Sequence, residues 1–161
     1  MDTFFIFCAN YLFVAPFLLA AVFFFKQKRN VQINIVIFGL CCALVGYGIA
    51  LLLGQLYFDP RPFVAGHFKP LIDHDTENGF PSDHVLLVST VSAVLTVFAK
   101  RLSIYAWICT ILIAIARVYV GVHHIIDVAG SLLIASGVTA LFYILFKRYW
   151  PNRLAGQDSK V

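Results

Sequence analysis

The chain has 161 residues, of which 61% are hydrophobic and 12% are charged, and its formal net charge is +4 at pH 7. Soluble domains carry about 25% charged residues, so this composition excludes an ordinary soluble domain and indicates an integral membrane protein. The basic residues mostly flank apolar segments, so the positive charge reflects membrane topology and does not indicate nucleic-acid binding.

Five apolar runs predict the helices in chain order. A bilayer core about 30 Å thick requires about 20 helical residues, which the first two runs supply outright and the others supply with flanking residues. We therefore expect an all-α integral membrane protein, a bundle of about five transmembrane helices forming a single membrane domain over residues 1–161. A cleaved signal peptide is disfavoured, because an acidic residue precedes the first run and basic residues follow it. The uncharged runs are Thr3–Phe25, Val31–Phe58, His84–Ala99, Leu102–Ala116 and Val128–Phe146.

The basic residues predict the orientation of these helices. Nine of the twelve lysines and arginines follow the first, third and fifth runs, and the positive-inside rule places those segments in the cytoplasm. The amino terminus is then expected outside, with an outer loop over residues 59–83 and a short cytoplasmic tail over residues 147–161. Apolar side chains and three prolines in the outer loop predict a segment that lies in the membrane interface.

Polar residues form three clusters, which the charge pattern places at the same outer face. Residues 59–62 (DPRP) follow the second run, residues 81–84 (PSDH) begin the third, and residues 116–127 (ARVYVGVHHIID) join the fourth to the fifth. In the third cluster, Gly121 permits a tight turn. Because scattered polar residues would not all fall at one face, the clusters predict a functional site.

Two arginines and a helix start give this site the means to bind phosphate. Arg61 and Arg117 offer planar guanidinium groups, which suit bidentate contacts to phosphate oxygens. Ser82 is a candidate N-cap, and the free N–H groups of the helix that follows can bind an anion. Taken singly, Ser82 is simply a cap and Arg61 an interfacial residue, whereas Arg117 lies inside an apolar helix and predicts a function.

Two histidines add the capacity for proton transfer. His84 and His123 can each exchange a proton near neutral pH. Asp127 follows His123 by four residues, so on a helix the carboxylate shares a face with the imidazole and can fix its tautomer. Arginines, a helix end and histidines together predict phosphoryl transfer that requires no metal.

A metal site is the alternative for the same histidines. His123 and His124 could be ligands together with His74, Asp73 or Asp75, but adjacent histidines point apart on a helix and no HExxH spacing is present. We therefore predict no metal and no other cofactor. A disulfide framework or zinc site is disfavoured because every cysteine lies in an apolar run, at Cys8, Cys41, Cys42 and Cys109.

At these residues the chain resembles the type 2 phosphatidic acid phosphatase family, and more closely its undecaprenyl-diphosphate phosphatase branch. The family pattern has three blocks: lysine, six residues and Arg-Pro; then Pro-Ser-Gly-His; then Ser-Arg, five residues, histidine, three residues and aspartate. The matching residues are Arg61-Pro62, then Pro81, Ser82 and His84, then Arg117, His123 and Asp127. The departures are Gly54 for the lysine, Asp83 for the glycine and Ala116 for the serine.

The resemblance implies roles for the site residues. His123 would be the nucleophile that forms a phosphohistidine, Asp127 would orient it, and His84 would protonate the leaving group. The phosphoryl oxygens would be bound by Arg61, Arg117, Ser82 and the backbone at Asp83.

The resemblance also implies a substrate and a location. The substrate would be a polyprenyl diphosphate taken from the bilayer, whose product is recycled as a cell-wall lipid carrier, a function linked to bacitracin resistance. The location would be the bacterial plasma membrane, with the site facing the periplasm or the cell exterior. The oligomeric state is not predicted.

The departures from the family pattern leave other functions open. Gly54 removes one phosphate-binding cation, for which Lys69 or Gln55 is a candidate substitute, and the carboxylate of Asp83 would repel phosphate. Rival functions are a phosphatase of phosphatidate, phosphatidylglycerol phosphate or lipid A phosphate, a lipid transporter, and a binding protein that has lost activity. A transporter is disfavoured because no internal repeat is present and the charges lie at one face.

Overall fold

The computed structural model describes residues 1–151, and all regular elements in that part are helices. The ten residues after that, including Arg153 and Lys160 of the expected cytoplasmic tail, lie outside the described residues. An isolated antiparallel bridge joins Pro60 to Asn78. The helices are α1 (Asp2–Asn10), α2 (Val14–Phe25), α3 (Arg29–Leu56), α4 (Pro62–Ala65), α5 (Asp83–Phe98), α6 (Lys100–Tyr119) and α7 (Ile125–Tyr149).

Three of these helices, α3, α6 and α7, are long and apolar enough to cross a membrane, and the pair α1 and α2 adds a fourth if it counts as one span. The protein is therefore a multi-pass helical membrane protein, as predicted. Helix α5, expected as a further span, has 16 residues and is shorter than the others. At 1.5 Å per residue it is about 24 Å long, less than the bilayer core of about 30 Å.

The first apolar run is not one straight helix, because α1 and α2 meet at an angle of 44°. Pro16 lies in the first turn of α2, where it has no N–H to donate and its ring would clash with the carbonyl of Leu12 in a continuous helix. The chain instead passes through a tighter turn, in which Val14 donates to Tyr11 and Ala15 to Leu12 at 3.1 and 3.0 Å.

Helix α5 lies at the centre of the bundle and packs against α2, α3, α6 and α7. Its buried hydroxyl groups are satisfied by local partners. Ser89 and Thr90 donate to carbonyls one turn earlier, and Ser92 pairs with Thr110 of α6 at 2.9 Å. These bonds remove the cost of burying hydroxyl groups, about 1–3 kcal/mol each when unpaired, and leave α5 as a stable central helix.

The outer loop folds back over the end of α6. The backbone N–H of Leu71 donates to the carbonyl of Val120 at 3.0 Å, and the side chain of Ile72 is buried against Ala116 and Val120. At Gly121 the backbone turns with φ +83°, so the tight turn predicted there is confirmed. These contacts bring the loop residues after Ile72 to the junction of α6 and α7.

Candidate active site

The three polar clusters meet around the imidazole of His123, whose exposed fraction is 3%. Arg61 comes from the turn before α4, and Arg117 from the last turn of α6. Each guanidinium places an Nη atom 3.4 Å from Nε2 of His123, and both arginines are buried. The predicted convergence of Arg61, Arg117 and His123 is therefore present in the structure.

The hydrogen bonds of His123 define its tautomer. Its Nδ1 atom lies 3.0 Å from the carbonyl oxygen of Gly79 and 3.4 Å from Oδ2 of Asp127. Because carbonyl and carboxylate oxygens only accept, the hydrogen belongs on Nδ1, and Nε2 presents its lone pair to the two arginines. Burial and, to a smaller extent, the charges of Arg117 and Arg61 lower the pKa of His123, although the hydrogen bond to Asp127 raises it. The imidazole is thus held neutral with Nε2 available for attack.

Asp127 is fully buried in the first turn of α7. Its Oδ2 atom accepts the backbone N–H of His124 at 2.8 Å in addition to its contact with His123. Its Oδ1 atom has no hydrogen-bond partner in the part of the chain that the structure describes. Gly79 permits this arrangement, because a Cβ atom at that position would lie 3.0 Å from Oδ2.

Ser82 occupies the N-cap position of α5, as predicted, but its hydroxyl makes no capping hydrogen bond. The backbone of Ser82 connects α5 to α7 instead: its N–H donates to the carbonyl of Asp127 at 3.3 Å, and its carbonyl accepts the hydroxyl of Ser131 at 2.8 Å. Its Oγ atom is buried and has no partner among the described residues. A hydroxyl held in this way can contact a ligand at the N-terminus of α5.

Asp83 and His84 form the start of α5, and both side chains are exposed. His84 contacts the ring of Phe13 edge-on, with centroids 6.1 Å apart, and makes no hydrogen bond to His123. Asp83 makes no ion pair with Arg61 or Arg117, although it is close enough to interact electrostatically with both. The structure places these two residues at the rim of the site, with the free N–H groups of the first turn beside them.

The position of the family lysine is closely packed. A Cβ atom on Gly54 would lie 3.1 Å from the carbonyl oxygen of Phe80. Asn78 connects the outer loop to this end of α3, because its side-chain amide donates to the carbonyls of Gly54 and Tyr57 at 2.8 and 3.0 Å. Its Oδ1 accepts the N–H groups of Asp59 and Phe80 at 2.8 and 3.1 Å. This fully bonded amide supports the loop that carries Gly79.

Neither candidate substitute for the lysine reaches the site. Lys69 and Gln55 are exposed and make no hydrogen bond or ion pair with the site residues in the described chain. His74 does reach the site, although its sequence context was interpreted only as that of a possible metal ligand. His74 Nε2 lies 2.8 Å from Nη2 of Arg117, and His74 Nδ1 lies 2.6 Å from Oδ1 of Asp75. The available signal was a histidine flanked by two acidic residues in a loop of mixed polar and apolar residues.

The residues that could hold a metal differ from the predicted set. Asp59, His124 and Asp127 each place one ligand atom within 4.8 Å of the others. His74 and Asp75, expected near His124, contact the arginines instead. Asp59 has its pKa raised by burial and then by the nearby charge of Asp127, while His124, 3.0 Å away, lowers it. That hydrogen bond already satisfies Asp59 without a cation.

A cavity of about 710 Å³ opens beside the site, between the outer loop and the junction of α6 and α7. Its polar members are Asp59, His123 and His124, and the rest of its wall is mainly apolar or aromatic, as at Tyr57 and Phe68. This cavity connects His123 to an apolar surface. The arrangement can therefore accept a phosphorylated molecule with an apolar tail.

The chain is similar to known proteins over most of its length. It is 32% identical over 146 residues to undecaprenyl-diphosphatase BcrC of Bacillus subtilis (strain 168), an alignment that covers 89% of this chain and 74% of that protein. It is 32% identical over 127 residues to an undecaprenyl-diphosphatase of Sulfolobus acidocaldarius, covering 76% of this chain and 58% of that protein.

A solved structure has the same fold. The crystal structure of a transmembrane PAP2-type phosphatidylglycerolphosphate phosphatase from Bacillus subtilis superposes with a TM-score of 0.52 at 20% identity, covering 91% of this chain and 94% of that one. The family model of the PAP2 superfamily matches residues 34–151, which include all three polar clusters. The chain therefore belongs to the PAP2 superfamily.

Proposed function

We propose that the protein is a membrane lipid phosphatase that removes the terminal phosphate of undecaprenyl diphosphate or a related polyprenyl diphosphate. The observation that carries the proposal is the unprotonated Nε2 of His123 facing two buried guanidinium groups. Two cations around a neutral nucleophile suit a phosphoryl group, whose charge must be stabilised in the transition state. The two relatives named undecaprenyl-diphosphatase support the choice of lipid.

In the first step, Nε2 of His123 attacks the terminal phosphorus. The nitrogen–phosphorus bond forms while the bond from phosphorus to the bridging oxygen breaks, and the leaving lipid monophosphate takes that electron pair. The negative charge of the bound diphosphate favours the imidazolium form of His84 at the start of α5, which then gives its proton to the leaving group. The imidazole of the phosphohistidine becomes cationic, and Asp127, 3.4 Å from Nδ1, stabilises that charge.

Four groups hold the phosphoryl oxygens during this step. They are the guanidinium groups of Arg61 and Arg117, the hydroxyl of Ser82 and the backbone N–H of Asp83. The hydroxyl has no partner among the described residues, and the N–H belongs to the first turn of a helix.

In the second step, a water molecule attacks the phosphohistidine. His84, having given up its proton, accepts one from the water, and the nitrogen–phosphorus bond breaks to release inorganic phosphate. His123 returns to the neutral form with its hydrogen on Nδ1, because the carbonyl of Gly79 still accepts that hydrogen. The cycle requires no metal.

The lipid tail would leave the site along the apolar wall of the 710 Å³ cavity. The amino terminus lies at the same end of the bundle as the site, since Tyr119 at the end of α6 donates to Asp2 at 3.0 Å. Lys26 follows α2 and Lys100 begins α6, so these basic residues lie at the end of the bundle away from the site. By the positive-inside rule this arrangement supports a site on the outer face of a bacterial plasma membrane, where the product would be recycled as a cell-wall lipid carrier.

Phosphatidylglycerol phosphate is the second candidate substrate, because the protein that shares the fold is a phosphatidylglycerolphosphate phosphatase. A phosphate-release assay in detergent micelles with undecaprenyl diphosphate, phosphatidylglycerol phosphate and phosphatidate separates the candidates. We expect release from undecaprenyl diphosphate to be at least about tenfold faster than from the other two, a difference of about 1.4 kcal/mol in activation free energy. Equal or higher rates with another lipid would reassign the substrate.

The metal alternative is tested in the same assay. We expect a strong chelator to leave the rate unchanged, because His123 and the arginines supply nucleophile and charge without an ion. The pertinent residues are Asp59, His124 and Asp127, which lie close enough to share a cation. Loss of activity with a chelator and recovery with Mg²⁺ would show that this group holds a required metal.

A further inference from the structure

The outer loop brings a second histidine to the arginines of the site. Arg117 Nη2 lies 2.8 Å from Nε2 of His74 and 3.4 Å from Nε2 of His123, so one guanidinium nitrogen contacts both imidazoles. The two rings stand edge-to-face with their centroids 5.9 Å apart. A phosphoryl group attacked by His123 would therefore lie within reach of His74 as well.

Asp75 fixes the imidazole of His74 and occupies part of the anion site. Its Oδ1 atom lies 2.6 Å from Nδ1 of His74, so Nδ1 carries a hydrogen and donates it to the carboxylate. The same oxygen lies 3.5 Å from Nη2 of Arg61. Because the side chain of Asp75 is 63% exposed, an incoming phosphate can replace it on Arg61 while the bond to His74 is kept.

The site lacks one cation relative to the family pattern. Gly54 stands where that pattern has a lysine, and the carbonyl oxygen of Phe80 fills the space beside it. Arg61 and Arg117 are then the permanent cations in contact with His123 in the described chain. A third positive group would have to come from another segment, and the loop that carries His74 contacts both arginines.

We propose that His74 is this third group: as an imidazolium it donates from Nε2 to the phosphoryl group bound by Arg61 and Arg117, in place of the missing lysine. The inference rests on the proposed function. In the free protein Arg117 donates to Nε2 of His74, so that atom carries no hydrogen and the ring is neutral. A bound phosphate draws the guanidinium to itself and favours a proton on the freed Nε2.

The charged surroundings of His74 support this assignment. Burial and the charges of Arg61 and Arg117 lower its pKa in the free protein, whereas the hydrogen bond to Asp75 raises it. A phosphate between the arginines would cancel the repulsion and return the proton to His74. The titratable and charged groups that face it are Asp75, Arg61, Arg117, His123 and His84.

Three variants test the role of His74. His74→Asn removes Nε2, His74→Lys supplies a permanent cation, and His67→Asn is the matched control, a histidine of the same loop that is exposed and makes no contact with the site. We measure kcat/KM for undecaprenyl diphosphate from about pH 6 to about pH 9, a range that spans histidine titration.

We expect kcat/KM of His74→Asn to fall about 10- to 100-fold, the effect of losing one charged donor. His74→Lys should stay within about tenfold of wild type and lose less activity above neutral pH, because lysine keeps its charge there. His67→Asn should match wild type. Equal values for His74→Asn and His67→Asn, or equal losses in the asparagine and lysine variants, would overturn the proposal.

A measurement of inorganic phosphate binding shows whether the role of His74 is wrong or the lipid phosphatase function itself is wrong. Thermal unfolding in detergent, with and without phosphate, needs no turnover. If the wild type hydrolyses none of the three lipids, the proposed function fails, and the variants are compared by phosphate binding alone. Weaker binding only in His74→Asn would still support His74 as a phosphate contact, whereas equal binding in all variants would reject it.

Discussion

Two adjacent histidines face different regions of the molecule. His123 is 3% exposed and bonds through Nδ1 to Gly79 and Asp127, while His124 is 40% exposed and bonds through Nδ1 to Asp59. Both have a carboxylate partner at 3.0–3.4 Å. The difference lies at Nε2, which in His123 faces two guanidinium groups and in His124 has no hydrogen-bond partner among the described residues.

This difference shows that a histidine–carboxylate pair does not by itself define a nucleophile. The carboxylate fixes which nitrogen carries the hydrogen, whereas the groups around the other nitrogen decide what that nitrogen can attack. Of these two adjacent histidines, His123 alone combines a fixed tautomer with two guanidinium groups positioned for an anionic phosphoryl group. We therefore expect the same substitution to reduce activity more in the His123–Asp127 pair than in the His124–Asp59 pair.

The largest difference is expected between His123→Ala and His124→Ala. The first removes the proposed nucleophile, and we expect phosphate release to fall by at least about 10³-fold, as for nucleophiles of other enzymes that act through covalent intermediates. The second should leave activity within about fivefold of wild type, since it removes a part-buried hydrogen bond to Asp59 and no contact with the guanidinium groups. Both should remain folded by size-exclusion chromatography. Comparable losses in the two variants would reject His123 as the nucleophile.

An intermediate difference is expected between Asp127→Asn and Asp59→Asn. Replacing Asp127 removes the negative charge that we propose stabilises the imidazolium of His123, but the carbonyl of Gly79 still accepts the hydrogen on Nδ1. We therefore expect a loss of about 10²-fold in kcat, smaller than the roughly 10⁴-fold seen where an aspartate alone fixes the tautomer. Asp59→Asn should change kcat by less than about threefold. Single-turnover kinetics would show whether phosphohistidine formation slows in Asp127→Asn.

The smallest effect is expected for Gly79→Ala. The new Cβ atom would lie 3.0 Å from Oδ2 of Asp127 and 3.1 Å from the carbonyl of Asp59, so the loop must move by a few tenths of an ångström. A displaced Gly79 carbonyl loosens His123, and we expect kcat to fall about tenfold. Gly137→Ala in α7 is the control, because no atom other than its chain neighbours and the backbone of its own helix lies within 4 Å of its Cβ position in the described chain. If Gly79→Ala retained full activity, close packing at this glycine would not be needed for catalysis.

The sequence was sufficient for the parts of the site that depend on short spacings. The three clusters fall at the same end of successive helices, so their convergence followed from charge placement. His123 and Asp127 do meet, but the expected shared helix face is wrong, because His123 lies before the start of α7. The fold class also followed from the length of the apolar runs. The bend between α1 and α2 had a local cause in Pro16, although the sequence analysis treated the run as one helix.

The parts that could not be predicted depend on the path of the outer loop. The contact of His74 with Arg117 joins residues 43 positions apart, and it exists because Leu71 and Ile72 attach the loop to the end of α6. The partner of His124, Asp59, is 65 positions away. Such contacts arise from tertiary packing, which neither periodicity nor motif spacing encodes.

The amide of Asn78 has a consequence for biogenesis. It bonds to the end of α3, while its neighbour Gly79 accepts a hydrogen bond from His123, two residues before the start of α7. Helices that enter the membrane early and late during synthesis are thus connected through one short loop. A ribosome-bound chain in which α7 has not yet been inserted would lack the second anchor of that loop. Catalytic competence should accordingly arise only at the end of membrane insertion, which makes phosphate release a reporter of completed assembly.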